Sequence, residues 1–146
     1  MTAPAVSVAP HVSLLEVTRR MTESAVGSVL VVEDETLRGI VTDRDLAVHG
    51  LASGLGREAP VRAVMSAEVI TVDANDDVQV AYRTFRRTGV RRLPVLDGGR
   101  VAGVLTVDDL FLDVFRRLGD LLGSVAWSVL QEPPGPSSSV GARCGP

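Results

Sequence analysis

Apolar and polar residues along the first part of the chain follow an order that predicts alternating strands and helices. The predicted strands lie at Val6–Val8, Ser28–Val32 and Leu37–Val41, where apolar residues form short runs. A second helix is predicted to begin after Thr42. Between the first two strands, apolar residues recur at helical spacing and predict an amphipathic helix; these residues are Leu14, Val17 and Met21.

The same order of elements returns later in the chain. Strands are predicted at Val69–Val72, Leu93–Leu96 and Val101–Leu105, and another helix after Thr106. The turn Asp97-Gly98-Gly99-Arg100 is a strong hairpin signal. The helix between the first two strands has its own apolar positions, which are Val78, Ala81 and Phe85.

The two parts are copies of one unit, since Ser7–Leu46 aligns on Thr71–Leu110 without a gap at an offset of 64 residues. Half-domains of this size cannot each bury a proper core. We therefore predict an α/β (α+β) fold in which two tandem β-α-β-β-α motifs pack about a pseudo-twofold axis. The predicted boundaries are 1–52 for the first motif, 53–64 for a linker and 65–118 for the second motif.

The start of the first copy leaves two interpretations open. Met1-Thr2-Ala3-Pro4 aligns with Met65-Ser66-Ala67-Glu68, whereas Val61–Val64 has no counterpart before the first copy. Either the short N-terminus is genuine, or Met1 is an internal methionine of a longer protein.

The second copy continues into an amphipathic helix predicted over 119–132. Its apolar stripe is consistent with core packing and with a subunit interface, and both interpretations stay open. Pro133-Pro134 is predicted to end the helix, and the Pro-, Gly- and Ser-rich stretch 133–146 is predicted to be disordered. The apolar stripe begins before residue 119, and its members are Leu110, Phe111, Val114, Phe115, Leu118, Leu121, Leu122, Val125, Val129 and Leu130.

The composition indicates a folded protein and limits the ligands and partners that it could bind. Hydrophobic residues make up 45% and charged residues 23%, which is typical of a folded domain, and the net charge of −3 gives no general attraction to nucleic acid. All 15 basic residues are arginine, so arginine, histidine or backbone must make any phosphate contact. The single Cys144 cannot form an internal disulfide, so we predict a cytoplasmic protein, and no apolar run is long enough for a membrane.

Two heptapeptides carry a resemblance to a known family. Gly39-Ile40-Val41-Thr42-Asp43-Arg44-Asp45 and Gly103-Val104-Leu105-Thr106-Val107-Asp108-Asp109 each follow a predicted hairpin. They resemble the Gly-apolar-apolar-Thr-x-x-Asp motif of CBS domains, in the paired arrangement called a Bateman module. The resemblance implies a homodimer with clefts between the repeats that bind an adenosine compound. No cofactor is required; the expected regulatory ligand is AMP, ADP or ATP, with NAD or S-adenosylmethionine as further family ligands.

The resemblance assigns candidate ligand-binding residues by chemistry. A ribose diol needs a carboxylate acceptor, adenine needs an apolar slot, and phosphates need cations or a helix N-terminus. Asp45 and Asp109 match the ribose position, and Thr42 and Thr106 match a hydroxyl near ribose or phosphate. The other candidates are the strand residues Ser7, Val8, Thr71 and Val72, the phosphate candidates Arg44 and Arg92, and Arg91 and Pro94 beside them.

The Thr-x-x-Asp spacing has a second interpretation, because it also matches a helix capping box. The two copies differ as well: Arg44 stands where the second copy has Asp108, whereas Arg91-Arg92-Leu93-Pro94-Val95 stands where the first has Gly27-Ser28-Val29-Leu30-Val31. We therefore predict one competent cleft and one weak or empty cleft, without assigning which is which.

The sequence thus predicts a regulatory module and not an enzyme. His11 and His49 have no second ligand at metal spacing, and the arginines between Arg83 and Arg92 form a solvated face without interleaved aromatic residues. The expected function is sensing of an adenosine nucleotide, with an unknown effector protein as partner and no role for nucleic acid or membrane. The alternative is a ligand-free module for dimerisation and protein interaction.

Overall fold

The computed structural model describes the backbone of residues 1–131 and the side chains of residues 1–125. The chain divides after Leu110 into two compact units, and the first unit contains both sequence repeats. The predicted tail 133–146, the predicted helix end at Pro133-Pro134, and Cys144 lie outside the described residues.

The first repeat forms a three-stranded mixed sheet. Strand β1 (Ser7–Val8) is parallel to β2 (Ser28–Glu33), and β3 (Thr36–Thr42) is antiparallel to β2, in the order β1-β2-β3. The intervening helix α1 (Leu14–Glu23) is capped by Ser13, whose hydroxyl accepts a hydrogen bond from the Glu16 backbone N–H at 3.3 Å. The elements are β1 (Ser7–Val8), α1 (Leu14–Glu23), β2 (Ser28–Glu33), β3 (Thr36–Thr42) and the single helical turn α2 (Asp43–Asp45).

The second repeat forms an equivalent sheet of β4 (Val72–Asp73), β5 (Arg92–Asp97) and β6 (Arg100–Thr106), in the order β4-β5-β6. Its helix α3 (Val78–Thr88) has the N-cap Asp77, whose carboxylate accepts a hydrogen bond from the Gln79 backbone N–H at 2.8 Å, and the C-cap Gly89 with φ +70°. The elements are β4 (Val72–Asp73), α3 (Val78–Thr88), β5 (Arg92–Asp97), β6 (Arg100–Thr106) and α4 (Val107–Gln131).

Each sheet covers its own hydrophobic cluster. In β2, Val29 and Val31 point into the first cluster, and in β5, Leu93 and Val95 point into the second. Side chains alternate across a strand, so Leu30 and its counterpart Pro94 point to the opposite face, where both are fully buried. The second face of each sheet is therefore covered as well, which is expected if the two repeats pack against each other.

The two repeats exchange equivalent backbone segments. Thr2 forms a two-way backbone pair with Val104 of β6 (3.0 and 3.1 Å), and Ser66 forms the same pair with Ile40 of β3 (2.9 and 3.0 Å). Both members of these pairs are related by the offset of 64 residues. The segment before each repeat thus lies on the sheet of the other repeat, which gives the predicted pseudo-twofold relation.

This exchange explains the glycine that opens each heptapeptide motif. A Cβ on Gly39 would lie 2.8 Å from the Ser66 carbonyl oxygen, and one on Gly103 would lie 2.9 Å from the Thr2 carbonyl oxygen. Real Cβ atoms do not approach oxygen this closely, so the crossing segment leaves room only for glycine.

The structure corrects several predicted boundaries. Strand β4 is Val72–Asp73 and not Val69–Val72, because only Val72 and Asp73 lie beside β5. Part of the predicted linker 53–64 belongs to the first core: a 3₁₀ turn over Val61–Ala63 buries Val61 completely, and Val64 is buried beside it.

The last helices of the two repeats differ in length and in helix type, which the sequence did not predict. In the first repeat, α2 continues into a wider π-helical turn over Leu46–Leu51. In the second, α4 runs unbroken from Val107 to Gln131, so no break separates a motif ending at 118 from a helix beginning at 119.

Candidate functional site

A threonine and an aspartate form the same hydrogen-bonded box at the end of each hairpin. The Thr42 backbone N–H and hydroxyl donate to Asp45 Oδ2 at 2.8 and 2.7 Å, and the Asp45 backbone N–H donates to Thr42 Oγ1 at 3.2 Å. In the second repeat, Thr106 and Asp109 make the same bonds at 2.8, 2.9 and 3.1 Å. The capping box predicted as an alternative is therefore present in both copies.

The box uses only one oxygen of each carboxylate. Asp109 Oδ1 lies 3.1 Å from the Met1 ammonium nitrogen, and Asp45 Oδ1 lies 4.0 Å from His49 Nε2. Capping and ligand binding are thus compatible roles, because Oδ2 holds the helix start while Oδ1 points to other groups.

Hydrogen bonding keeps Asp109 ionised. Partial burial raises the pKa of its carboxyl, but the backbone and side-chain hydrogen bonds from Thr106 and the nearby Met1 ammonium together outweigh burial and hold the pKa below its ordinary value of 3.8. At neutral pH, Asp109 is therefore a carboxylate that accepts hydrogen bonds.

A cleft of about 190 Å³ lies between the two repeats, within the first unit. One wall is the start of β2 with the residues before it, and the other is formed by Arg92 of β5 with Val104 and Thr106 of β6. The crossing N-terminal segment closes it. The remaining lining residues are Thr2, Ala5, Val6, Ala25, Val26, Gly27 and Ser28.

Arg92 supplies the positive charge of this cleft. Its side chain is half-buried, and its guanidinium has no hydrogen bond or ion pair within the part of the chain that the structure describes. A Cβ on Gly27 would lie 2.9 Å from Arg92 Nη2, so the glycine of the first repeat makes room for the arginine of the second. Asp43 Oδ2 lies 3.4 Å from the same Cβ position, so an acid borders this wall.

The cleft brings together some of the predicted site residues. Arg92 and Thr106 line it directly, and Asp109 adjoins it through its hydrogen bond with Thr106. The repeat offset relates this cleft to a second position, to which Thr42, Asp45 and Arg91 belong. At that second position, Ser28 corresponds to Arg92 of the cleft, and Arg91 corresponds to Gly27.

Other predicted residues lie outside this cleft. The side chains of Val8 and Val72 are in the two cores, and that of Pro94 is fully buried, so a ligand could reach only their backbone. The remaining ones are the exposed Ser7, whose carbonyl accepts from Arg20 at 3.1 Å, the exposed Arg44 on α2, and the half-buried Thr71.

The sequence did not identify the residues before β1 that line the cleft. It selected Ser7 and Val8, whereas the lining residues are Ala5 and Val6, because the segment enters the cleft before it joins the sheet. It also interpreted Gly27 only as a missing basic residue. The signal that could have located it is the pairing of a small residue in one copy with Arg91 in the other.

Two further features of the described residues bear on function. Residues 1–131 contain no group of three or more histidine, cysteine or acidic side chains that could hold a metal ion. Among the same residues, no helix combines the length and the apolar character needed to cross a bilayer.

Comparison with known families gives the class of protein. The model of the CBS domain matches residues 1–50 and 61–115, which correspond to the two repeats. The chain belongs to the CBS-domain family and is a regulatory module of that family with two repeats. Proteins of this class are generally regulatory and not catalytic.

Individual relatives agree with this assignment. The chain is 33% identical over 110 residues to the CBS domain-containing protein YhcV of Bacillus subtilis, covering 75% of this chain and 79% of YhcV. The crystal structure of the CBS domain protein NE2398 matches with a TM-score of 0.70 at 32% identity, covering 76% of this chain and 87% of that one. The CBS domain protein PAE2072 from Pyrobaculum aerophilum, complexed with AMP, matches with a TM-score of 0.68 at 26% identity, covering 75% and 86%.

Proposed function

We propose that this protein binds an adenosine nucleotide in the cleft between its two repeats and signals the bound state to an effector protein. The observation that carries the proposal is that Arg92, which has no partner among the described residues, lines the same cleft as Thr106, whose hydrogen-bonded partner Asp109 adjoins it. The AMP complex of the similar protein PAE2072 supports the choice of ligand class.

The groups around the cleft match the parts of such a ligand. The Arg92 guanidinium offers a planar set of donors to a phosphate, and the ionised Asp109 offers Oδ1 to a ribose hydroxyl. A ribose at Oδ1 would take the place of the Met1 ammonium. Ala5, Val6 and Val26 provide an apolar surface for adenine.

The position of the cleft suits regulation. Because its walls come from both repeats, a ligand contacts the first and second halves at once and favours the arrangement in which they are closest. A ligand can change the output only to the extent that it binds the two arrangements with different affinity. We propose a regulatory and not a catalytic role; the effector, the homodimer implied by the family resemblance and the cytoplasmic location stay predictions.

The test is thermal unfolding against AMP, ADP, ATP, NAD and S-adenosylmethionine, with GTP as the control ligand. A ligand at about 100 times its Kd adds nearly 3 kcal/mol of stability, which raises the midpoint measurably. We expect a shift with an adenosine compound that is lost in Arg92→Gln and kept in Arg91→Gln. Arg91 is the matched control, because it is the neighbouring arginine, is exposed and does not line the cleft.

A folded protein that responds to no member of the panel would contradict the proposal. It would favour the alternative of a ligand-free interaction module. An equal loss of response in both arginine variants would show that Arg92 has no special place in binding.

A further inference from the structure

The first repeat places a carboxylate beside the arginine of the cleft. Asp43 is the first residue of α2, and its backbone N–H donates to the Gly27 carbonyl oxygen at 3.2 Å. Asp43 Oδ2 and Arg92 Nη2 both lie within 3.4 Å of the point where a Cβ on Gly27 would stand. The acid of one repeat and the arginine of the other therefore meet at this glycine.

Only one oxygen of the Asp43 carboxylate is used locally. Oδ1 accepts a hydrogen bond from the Arg44 backbone N–H at 2.8 Å. Oδ2 has no hydrogen bond or ion pair among the described residues, and neither has the Arg92 guanidinium. A phosphate bound by Arg92 would therefore lie close to the negative charge of Asp43.

The cleft offers few positive groups to a chain of phosphates. Among the residues that the structure describes, Arg92 is the only charged side chain that lines the cleft. One guanidinium can hold one phosphate through paired hydrogen bonds. Each further phosphate of a nucleotide adds negative charge without a second lining cation to receive it.

The equivalent place in the second repeat shows that the fold does not require this acid. Val107 corresponds to Asp43 at the repeat offset, and its backbone N–H donates to the Arg91 carbonyl oxygen at 3.1 Å. This is the same backbone bond that Asp43 makes with Gly27. Because the bond forms with an apolar side chain as well, local structure alone does not explain a carboxylate at position 43.

We infer that Asp43 limits the phosphate charge that the cleft accepts, so that a nucleoside monophosphate binds in preference to a di- or triphosphate. The inference rests on the proposed function, because it concerns the same cleft. Two like charges a few ångströms apart near a protein surface repel strongly enough to change an affinity by about 10-fold. Asp43 is thus assigned the selection among adenosine nucleotides, whereas Arg92 is assigned the binding of one phosphate.

Arg44 is the nearby cation that could offset this repulsion. Its side chain is exposed and has no partner among the described residues, but it does not line the cleft. If Arg44 held the outer phosphates, a triphosphate would bind more tightly than a monophosphate. The inference predicts the opposite order.

The test measures the Kd of AMP, ADP and ATP by isothermal titration in EDTA, so that no divalent cation neutralises the phosphates. For the wild type we expect AMP to bind at least 10-fold more tightly than ATP, with ADP between them. Asp43→Asn keeps an oxygen that can accept from Arg44 and removes the charge. We expect this variant to bind ATP about 10-fold more tightly than the wild type does, and AMP only about 2-fold more tightly.

Asp34→Asn is the matched control, since it removes the same charge from an exposed residue. Asp34 follows the far end of β2, about 20 Å along the strand from Ser28 at the cleft, and asparagine tolerates its φ of +48°. We expect this variant to keep all three wild-type Kd values. The gain of Asp43→Asn for ATP should also shrink when NaCl is raised from about 0.05 to about 0.5 M, because salt screens a repulsion between charges.

The outcomes separate this inference from the proposed function. If the wild type binds AMP and ATP equally, if Asp43→Asn leaves their ratio unchanged, or if Asp34→Asn changes it as much, the inference is overturned while nucleotide binding stands. A large loss of ATP affinity in Arg44→Gln with no effect of Asp43→Asn would overturn it in favour of Arg44. If none of the three nucleotides binds to the folded wild type, the proposed function fails, and the inference fails with it.

Discussion

The first and second repeats have the same scaffold but contribute different side chains to the cleft. Both carry a Thr–Asp box with bonds that agree within 0.2 Å, and both accept a crossing segment at a glycine. At the start of the second strand of each repeat, however, the side chains differ. The first repeat has Gly27 and Ser28 at the positions where the second repeat has Arg91 and Arg92. The comparison teaches that the repeat preserves what the fold needs, while the arginine to which we assign the phosphate lies where the copies differ.

The largest expected effect tests the shared scaffold. Gly39→Ala should lower the free energy of unfolding by about 1–3 kcal/mol, because its Cβ would overlap the Ser66 carbonyl oxygen. Gly103→Ala should have a similar cost, since its Cβ would lie 2.9 Å from the Thr2 carbonyl oxygen, compared with 2.8 Å from the Ser66 carbonyl oxygen at Gly39. Urea denaturation measures both, and Gly119→Ala, with open space around its Cβ, should cause no loss. A harmless Gly39→Ala would contradict the role given to the crossing segments.

The next effect concerns the difference between the copies. Gly27→Ala should weaken nucleotide binding about 10-fold, because its Cβ would lie 2.9 Å from Arg92 Nη2 and would displace the guanidinium. Stability should change little, since a long side chain can move aside. Isothermal titration and a thermal scan measure the two quantities. If both the nucleotide affinity and the thermal midpoint were unchanged, Gly27 would not be part of the binding site.

A smaller effect tests whether the two boxes are equal. Thr42→Val and Thr106→Val each remove a hydroxyl that caps a helix start, at a cost of about 1 kcal/mol. Because the bond lengths match, the two costs should match within about 0.5 kcal/mol. Chemical denaturation of the two variants provides the comparison, and a much larger cost at one threonine would show that the boxes are not equivalent.

The smallest effect is the acid dependence of the second box. The pKa of Asp109 is lowered in the folded protein, so its contribution to stability is complete above the ordinary value of 3.8 and is lost as the pH falls through the lower folded value. Asp109→Asn should therefore lose less stability than the wild type when the pH falls from about 5 to about 3. Thermal unfolding measures the stability of the two proteins as a function of pH. If both lost the same stability on acidification, the Asp109 carboxylate would not contribute as predicted.

The sequence alone predicts the order of elements, both hairpins and both boxes, because these depend on local spacing and turn residues such as Gly98 and Gly99. It could not predict which segments line the cleft. That depends on Thr2 crossing to Val104 and Ser66 crossing to Ile40, which are contacts distant in sequence. For the same reason the sequence does not identify Gly27, which matters only through its contact with Arg92. Arg92 itself lines the cleft, and its role in binding stays a prediction.

The most direct test of the account is a crystal structure of the protein with the nucleotide that gives the largest thermal shift. We predict one strongly occupied cleft per chain, with the phosphate at Arg92 and the ribose at the Thr106–Asp109 box. Equal occupancy of both clefts, or a nucleotide bound only at the equivalent position beside Thr42 and Arg91, would contradict it.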